Sequence, residues 1–364
     1  MEGGIPLVEV RLIVFYLPQF HPIPENDRWW GRGFTDWTSV VKASPRFKGH
    51  YQPHIPADLG FYDLRLSEVR KAQADLAREY GIYGFCYYHY WFMGKCLLER
   101  PFEEVLKTKE PKFPFCLCWA NESWTRSWDG RSGEILIQQE YSEMDDCQHI
   151  HWLAQAFRDE RYIRIGGKPL MLVYRANQLP NPERTSQIWR GEAKRLGIGD
   201  IYLCTVESFP DEHADPSKIG FDAAIEFQPD WTQLGQPLRS RAFRDHLVYR
   251  YEDIVSRMLK KEDPGYKRFR YVTPSWDNSP RRRRKNAVIF IDSAPELYER
   301  WLAEVIKKSL GNAPGERVVF VNAWNEWGEG NHLKPDLRFG RGYLEATRRA
   351  LEACDRAEGK ERSQ

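Results

Sequence analysis

The stretch Val318-Val-Phe-Val-Asn-Ala-Trp-Asn-Glu-Trp-Gly-Glu-Gly330 decides how this chain is read. Its first four residues are β-branched or aromatic, as a strand buried on both faces requires. The strand runs straight into two carboxylates, Glu326 and Glu329, set among Trp324, Asn325 and Trp327. Acids at the carboxyl end of a buried strand hold the usual place of chemistry in a parallel barrel. A pair of them matches glycosidic cleavage, in which one donates a proton and the other stabilises or activates at the sugar. Indole faces beside them offer a sugar ring an apolar platform. The plainer reading is a strand end with two solvated glutamates.

Seven further apolar runs of strand length lie outward from this one: Leu12–Tyr16, Tyr83–Tyr88, Phe115–Trp119, Leu170–Tyr174, Ile201–Val206, Ala223–Phe227 and Tyr271–Ser275. Helical patterns separate most of them. Ser67–Tyr80 repeats Val69, Ala72, Leu76 and Tyr80 at helical spacing, with Ser67 as the expected N-cap and Gly81 as the stop. Asp145–Phe157, Pro182–Leu196, His246–Lys261, Ala294–Leu310 and Gly342–Ala357 read similarly. Strand and helix in alternation predict an α/β fold, a single (β/α)8 TIM barrel over residues 1–357, followed by a polar C-terminal tail over 358–364. An open doubly wound sheet is the alternative. It is disfavoured because Pro18-Gln-Phe-His-Pro22 stands where a nucleotide fold needs glycine. The connection from Leu17 to about Leu66 carries Trp29, Trp30, Phe34, Trp37, Phe47, Tyr51 and Phe61, and reads as a site wall.

Composition narrows the partners. Net charge is +2 with acids and bases interspersed, which argues against a nucleic-acid binder. The basic run Arg281-Arg-Arg-Arg-Lys285 reads as a solvated loop, or else as an anionic-glycan or phosphate contact. The chain has 14 Trp, 18 Tyr and 19 Phe, which suits a ring-lined cleft or a ring-filled core. Its seven cysteines form no CxxC pair, so a zinc cage is not expected and reduced thiols are. His50 and His54 flank Tyr-Gln-Pro, where the proline breaks any helix that would align them on a metal. No metal or other cofactor is expected. No apolar run is long enough to span a bilayer and no signal peptide is visible, so a cytoplasmic protein without membrane insertion is expected. The oligomeric state is left open.

A barrel gathers its chemistry on the loops that follow the strands. Those positions carry His21, then Tyr88 and His89, then Trp119, Asn121, Glu122, Trp124 and Trp128. Tyr174, Glu226 and Trp276 follow, and Asn325 and Trp327 flank the glutamates. With Trp37 from the long loop, these are the candidate substrate contacts, for a carbohydrate; Glu326 and Glu329 are the candidate catalytic pair. His89 also reads as a hydrogen-bonded core histidine, and Glu122 and Glu226 as partners of arginines.

Several stretches resemble the WbsX-type family, described both as glycosyltransferase WbsX and as a glycoside hydrolase family 99-like domain. They are Tyr16–Asp27, Trp29–Trp37, Gly49–Pro53, Asp58–Asp63, Gly84–Trp91, Cys118–Glu122 and Asn322–Gly330. The resemblance implies a (β/α)8 barrel similar to the family 99 endo-mannosidases, which place a Glu-x-x-Glu pair after the last strand. It further implies that Glu326 acts as a base on the sugar's own 2-hydroxyl and Glu329 as acid and then base, with retention and no metal. Two departures stand out. Gly328 replaces a common alanine, which should loosen the turn, and Lys334 replaces a common acid, which should bring positive charge near the pair. A glycoside hydrolase of a bacterial polysaccharide or related glycan follows. A glycosyltransferase of lipopolysaccharide or capsule assembly, and a catalytically silent glycan-binding barrel, remain the alternatives.

Overall fold

A computed structural model describes residues 10–126, 131–282 and 285–361. Eight parallel strands close into a barrel: β1 Arg11–Tyr16, β2 Gly84–Phe92, β3 Phe115–Trp119, β4 Lys168–Val173, β5 Tyr202–Glu207, β6 Ala223–Glu226, β7 Arg268–Val272 and β8 Val318–Val321. Each pairs with its neighbour in sequence, and β1 closes the ring against both β2 and β8. The register at closure sets Ile13 beside Phe320 and Val14 beside Val321. The expected (β/α)8 barrel is therefore the fold. Phe15, Tyr271 and Phe320 meet edge-on or stacked inside it, at centroid separations of 5.2–6.1 Å.

Helices Ser67–Glu79, Arg100–Thr108, Glu143–Phe157, Pro182–Arg195, Tyr251–Lys260 and Pro295–Ser309 carry the chain back between strands, and Gly342–Glu361 follows β8. Between β5 and β6 the return is made by two short 3-10 turns, Pro210–Glu212 and Pro216–Ile219.

Some local expectations need correction. Ser67 is not the N-cap. Leu66 holds that place, and the Ser67 hydroxyl bonds the adjacent Glu68 instead. β7 lies three residues earlier than Tyr271–Ser275. The Thr273 hydroxyl donates to the Ser275 carbonyl, which turns the chain out of the sheet, while Arg268 and Arg270 hide the strand's true start behind charge. The stretch from His246 opens as a strand, Leu247–Arg250, paired in parallel with Val288–Ile291 before the helix begins. The last helix, expected as Gly342–Ala357, runs to Glu361. Polar side chains do not stop a helix.

Candidate active site

Glu326 and Glu329 sit on a six-residue loop that closes on itself. The Glu326 and Asn331 backbones exchange hydrogen bonds of 3.0 and 3.1 Å, and Trp327–Glu329 forms a 3-10 turn. Almost every other residue of the stretch is used as an anchor. Asn325 exchanges two hydrogen bonds with the Leu17 backbone at the end of β1, at 2.8 and 2.9 Å. Trp324 donates to Gln73 at 3.0 Å, and Trp327 donates to the Tyr62 hydroxyl at 3.2 Å while stacking on His332 at 3.8 Å. The Gly328 N–H donates to Asp36 at 3.0 Å. The two glutamates are left to project into a cavity of about 420 Å³ at the carboxyl end of the barrel.

One guanidinium organises the acids. Arg281 reaches Glu326 Oε2 at 2.9 Å, Glu329 Oε1 at 2.8 Å and Asp36 Oδ1 at 3.1 Å. This corrects the reading of the basic run as a solvated loop, since Arg281 is buried. Arg282 lines the cavity as well, while Arg283 and Arg284 lie outside the described residues. If fully ionised, three carboxylates around one cation would leave excess negative charge in a site shielded from water. Burial, then the neighbouring carboxylates against the opposing pull of Arg281, pushes Glu326 well above the usual carboxylate range. Burial also raises Glu329, with Asp36 adding to it and Arg281 again opposing.

Gly328 has a steric reason that its sequence did not suggest. A Cβ there would lie 2.6 Å from Asp36 Oδ1 and 2.7 Å from Arg281 Nε. Glycine admits the clamp rather than loosening the turn. Lys334 does not add charge beside the acids either. It is buried with Nζ 3.4 Å above the Tyr62 ring, and burial drives its ammonium well below its ordinary value.

Of the candidate substrate contacts, Tyr88, Glu122, Trp124, Tyr174 and Trp276 line the cavity, with Gln19, Trp30, Tyr90, Trp231 and Asn278 beside them. Burial, then the charge on Glu326, holds the Tyr90 phenol protonated far above its ordinary range. Glu122 also pairs with Arg175 at 2.9 Å.

The other expected contacts are packed away from it. His21 is buried against the Pro18 carbonyl, and Trp37 donates to the Tyr62 carbonyl among Phe20 and Trp327. His89 shares a 2.9 Å hydrogen bond with His149 and stacks on Trp152, the core-histidine alternative. Trp119 bonds the Trp91 carbonyl, and Asn121 bonds Tyr141 and the Arg175 backbone. Glu226 belongs to an ion network with Lys261 at 2.8 Å and Arg268 at 3.4 Å. Asn325 and Trp327 anchor the loop, and Trp128 lies outside the described residues. In each described case a polar atom found a partner inside the fold, where an unpaired one would be costly.

Asp36 and Arg281 were not among the expected site residues. The available signal for Asp36 was its place in Trp29–Trp37, and for Arg281 its place a few residues beyond β7. His50 and His54 diverge: His50 bonds Asp277 at 2.7 Å, and His54 bonds His332 at 2.8 Å.

The fold and cavity together define a (β/α)8 barrel with a clamped carboxylate pair at the carboxyl end of its strands. The chain belongs to the family described as glycosyltransferase WbsX, whose family model matches residues 12–347. The uncharacterized protein WxcX of Xanthomonas campestris pv. campestris, from strains B100 and ATCC 33913, is 46% identical over 365 residues. That alignment covers 93% of this chain and 49% of WxcX, so the chain spans about half the length of the curated relatives it matches. Two solved structures of the GH99 endo-alpha-mannosidase from Bacteroides thetaiotaomicron share the fold. One is a complex with bis-tris-propane, with TM-score 0.58 and 14% identity over 96% of this chain and 98% of that one. The other has TM-score 0.59 and 13% identity over 95% and 98%. No helix among the described residues is long and apolar enough to cross a membrane.

Proposed function

We propose that this chain is a retaining glycoside hydrolase acting on a bacterial polysaccharide or related glycan, with Glu326 and Glu329 as its catalytic pair. The observation that carries the reading is the convergence of both acids on Arg281 in an aromatic-walled cavity. Glu326 takes the proton of the sugar's 2-hydroxyl as that oxygen attacks the anomeric carbon. Glu329 protonates the departing glycosidic oxygen, so the bond to the leaving group breaks as the 1,2-anhydro sugar forms. Glu329 then removes a proton from water as it attacks the anomeric carbon, and Glu326 returns its proton to O2. Net configuration is retained after two inversions.

Raised pKa values serve both roles. They make ionised Glu326 a stronger base and favour the protonated form of Glu329. The exposures also suit the roles. The Glu326 side chain is 7% exposed and that of Glu329 is 23%, and the more open acid is the one that must meet the leaving group and then water. The name of the solved neighbours, endo-alpha-mannosidase, supports glycan hydrolysis through shared fold alone.

The family's description favours a second reading, glycosyl transfer from an activated donor. Incubation with a panel of bacterial polysaccharides, with and without nucleotide sugars, separates the two. New reducing ends without donor support hydrolysis. Donor consumption without new reducing ends supports transfer and overturns the proposal.

A further inference from the structure

Behind the loop that carries the glutamates lies a second hollow, of about 70 Å³. His54, His332 and Asp336 line it, and all three are buried. His54 Nδ1 is 2.8 Å from His332 Nε2, which is 3.9 Å from Asp336 Oδ2. One donor atom from each residue falls within 4.8 Å of the others.

These donors are held in place by the fold. The His54 and Asp336 segments are stapled together by Ala57 N–H to Pro335 O at 3.0 Å and Leu337 N–H to Ile55 O at 2.9 Å. His332 Nδ1 faces the Lys334 carbonyl at 2.9 Å and must donate to it, which leaves Nε2 its lone pair. Asp336 Oδ1 accepts from the Arg338 and Phe339 N–H groups at 3.0 and 2.6 Å, fixing the carboxylate. Imidazole oriented by a backbone carbonyl is the usual support for a metal ligand.

We propose that His54, His332 and Asp336 bind one divalent transition-metal ion of the zinc type, as a structural clamp between the loops after the first and last barrel strands. Two nitrogens and a carboxylate oxygen are a zinc donor set, with the hollow supplying room for water as the remaining ligand. Bonds of about 2.1 Å span at most roughly 4.2 Å between donors, so Asp336 closes in by a small side-chain rotation. The ion takes the place of the hydrogen now shared between the imidazoles. His54 changes from its Nδ1–H to its Nε2–H tautomer, and no net proton is released. The clamp would brace the Glu326 loop from behind, since His332 stacks on Trp327. It does not depend on which glycan, or any glycan, occupies the larger cavity.

The test uses the full chain, stripped with a chelator and titrated with zinc chloride by calorimetry. The expected result is one Zn²⁺ per chain with micromolar or tighter affinity, and a rise in the thermal midpoint on binding. His54→Gln and Asp336→Asn should each weaken binding at least tenfold. His50→Gln should leave it unchanged, because both ring nitrogens of His50 are engaged by Asp277 and the Arg46 N–H. Asp336→Asn keeps an oxygen for the two backbone donors, so it remains informative if His54→Gln fails to fold. No binding at micromolar free zinc overturns the proposal. So does equal affinity in wild type and both ligand variants, or a thiolate charge-transfer band when cobalt is substituted, which would assign the ion to cysteines.

Discussion

Replacing Glu326 with glutamine should stabilise the fold in alkaline solution while abolishing activity. Burial lifts the Glu326 pKa from 4.5 to about 8. An acid whose pKa rises on folding binds more protons folded than unfolded, so stability falls as pH climbs from about 4.5 toward 8. At about 1.4 kcal/mol per pKa unit, ionising Glu326 in its folded setting costs on the order of 5 kcal/mol. Part of that relaxes as Glu329 and Asp36 share Arg281 more evenly, so the expected gain for Glu326→Gln at pH 9 is about 2–4 kcal/mol. Near pH 4.5 most of the gain should be gone, because the wild-type carboxyl is then protonated when folded and glutamine mimics it. Urea unfolding of both proteins at the two pH values measures the difference directly. An equal stability difference at both would refute the reasoning. It would mean that Arg281 balances Glu326 fully and that the site carries no excess negative charge.

Glu329→Gln should slow turnover roughly 10²–10⁴-fold on substrates whose leaving group needs a proton, with far less effect where the leaving group departs unaided; equal rates with wild type would remove Glu329 from the mechanism. Gly328→Ala forces a methyl against Asp36 and Arg281 and should cost about 1–3 kcal/mol of stability. Its turnover should fall as well, and a fully active, equally stable variant would show that the clamp is not needed. Trp124→Ala removes a cavity wall that meets Tyr90 edge-on at 5.1 Å. Loss of about 1–2 kcal/mol of ring burial should raise KM several-fold with kcat nearly kept; unchanged KM would place the substrate elsewhere.

The barrel was legible because strands buried on both faces advertise themselves as unbroken apolar runs. Where charge entered a strand, as at Arg268 and Arg270, the boundary was misjudged, since their partners Asp263, Glu207 and Glu226 are distant in sequence or outside the strand. Strand ends also told where polar groups gather, but not which way each side chain turns. His89 and Tyr88 are adjacent on β2. Alternation sends Tyr88 to the cavity and His89 outward to His149 and Trp152. A residue's place along the chain could not reveal that, because the partners of His89 come from the next helix but one.

The dense motif after β8 shows why resemblance outruns mechanism. Of Trp324–Glu329, only the two glutamates reach the larger cavity. Trp324, Asn325, Trp327 and Gly328 are committed to Gln73, Leu17, Tyr62 and Asp36, all from β1's end, the long loop or the helix that follows it. The long aromatic connection is therefore a brace as well as a wall: Trp37 and Tyr62 hold Trp327 of the loop that bears the acids, while Trp30 lines the cavity. Buried hydrogen-bonded anchors of this kind tolerate little substitution, because each loss strands a partner inside the fold. The motif's length reflects the cost of holding two carboxylates on one guanidinium away from water, where chemistry that depends on their spacing and protonation requires a rigid setting. The rest of the cavity wall, with Trp124, Trp231 and Trp276, supplies none of the anchors of that loop, so under the proposed hydrolase reading it is there, and not in the motif, that the identity of the glycan would be decided.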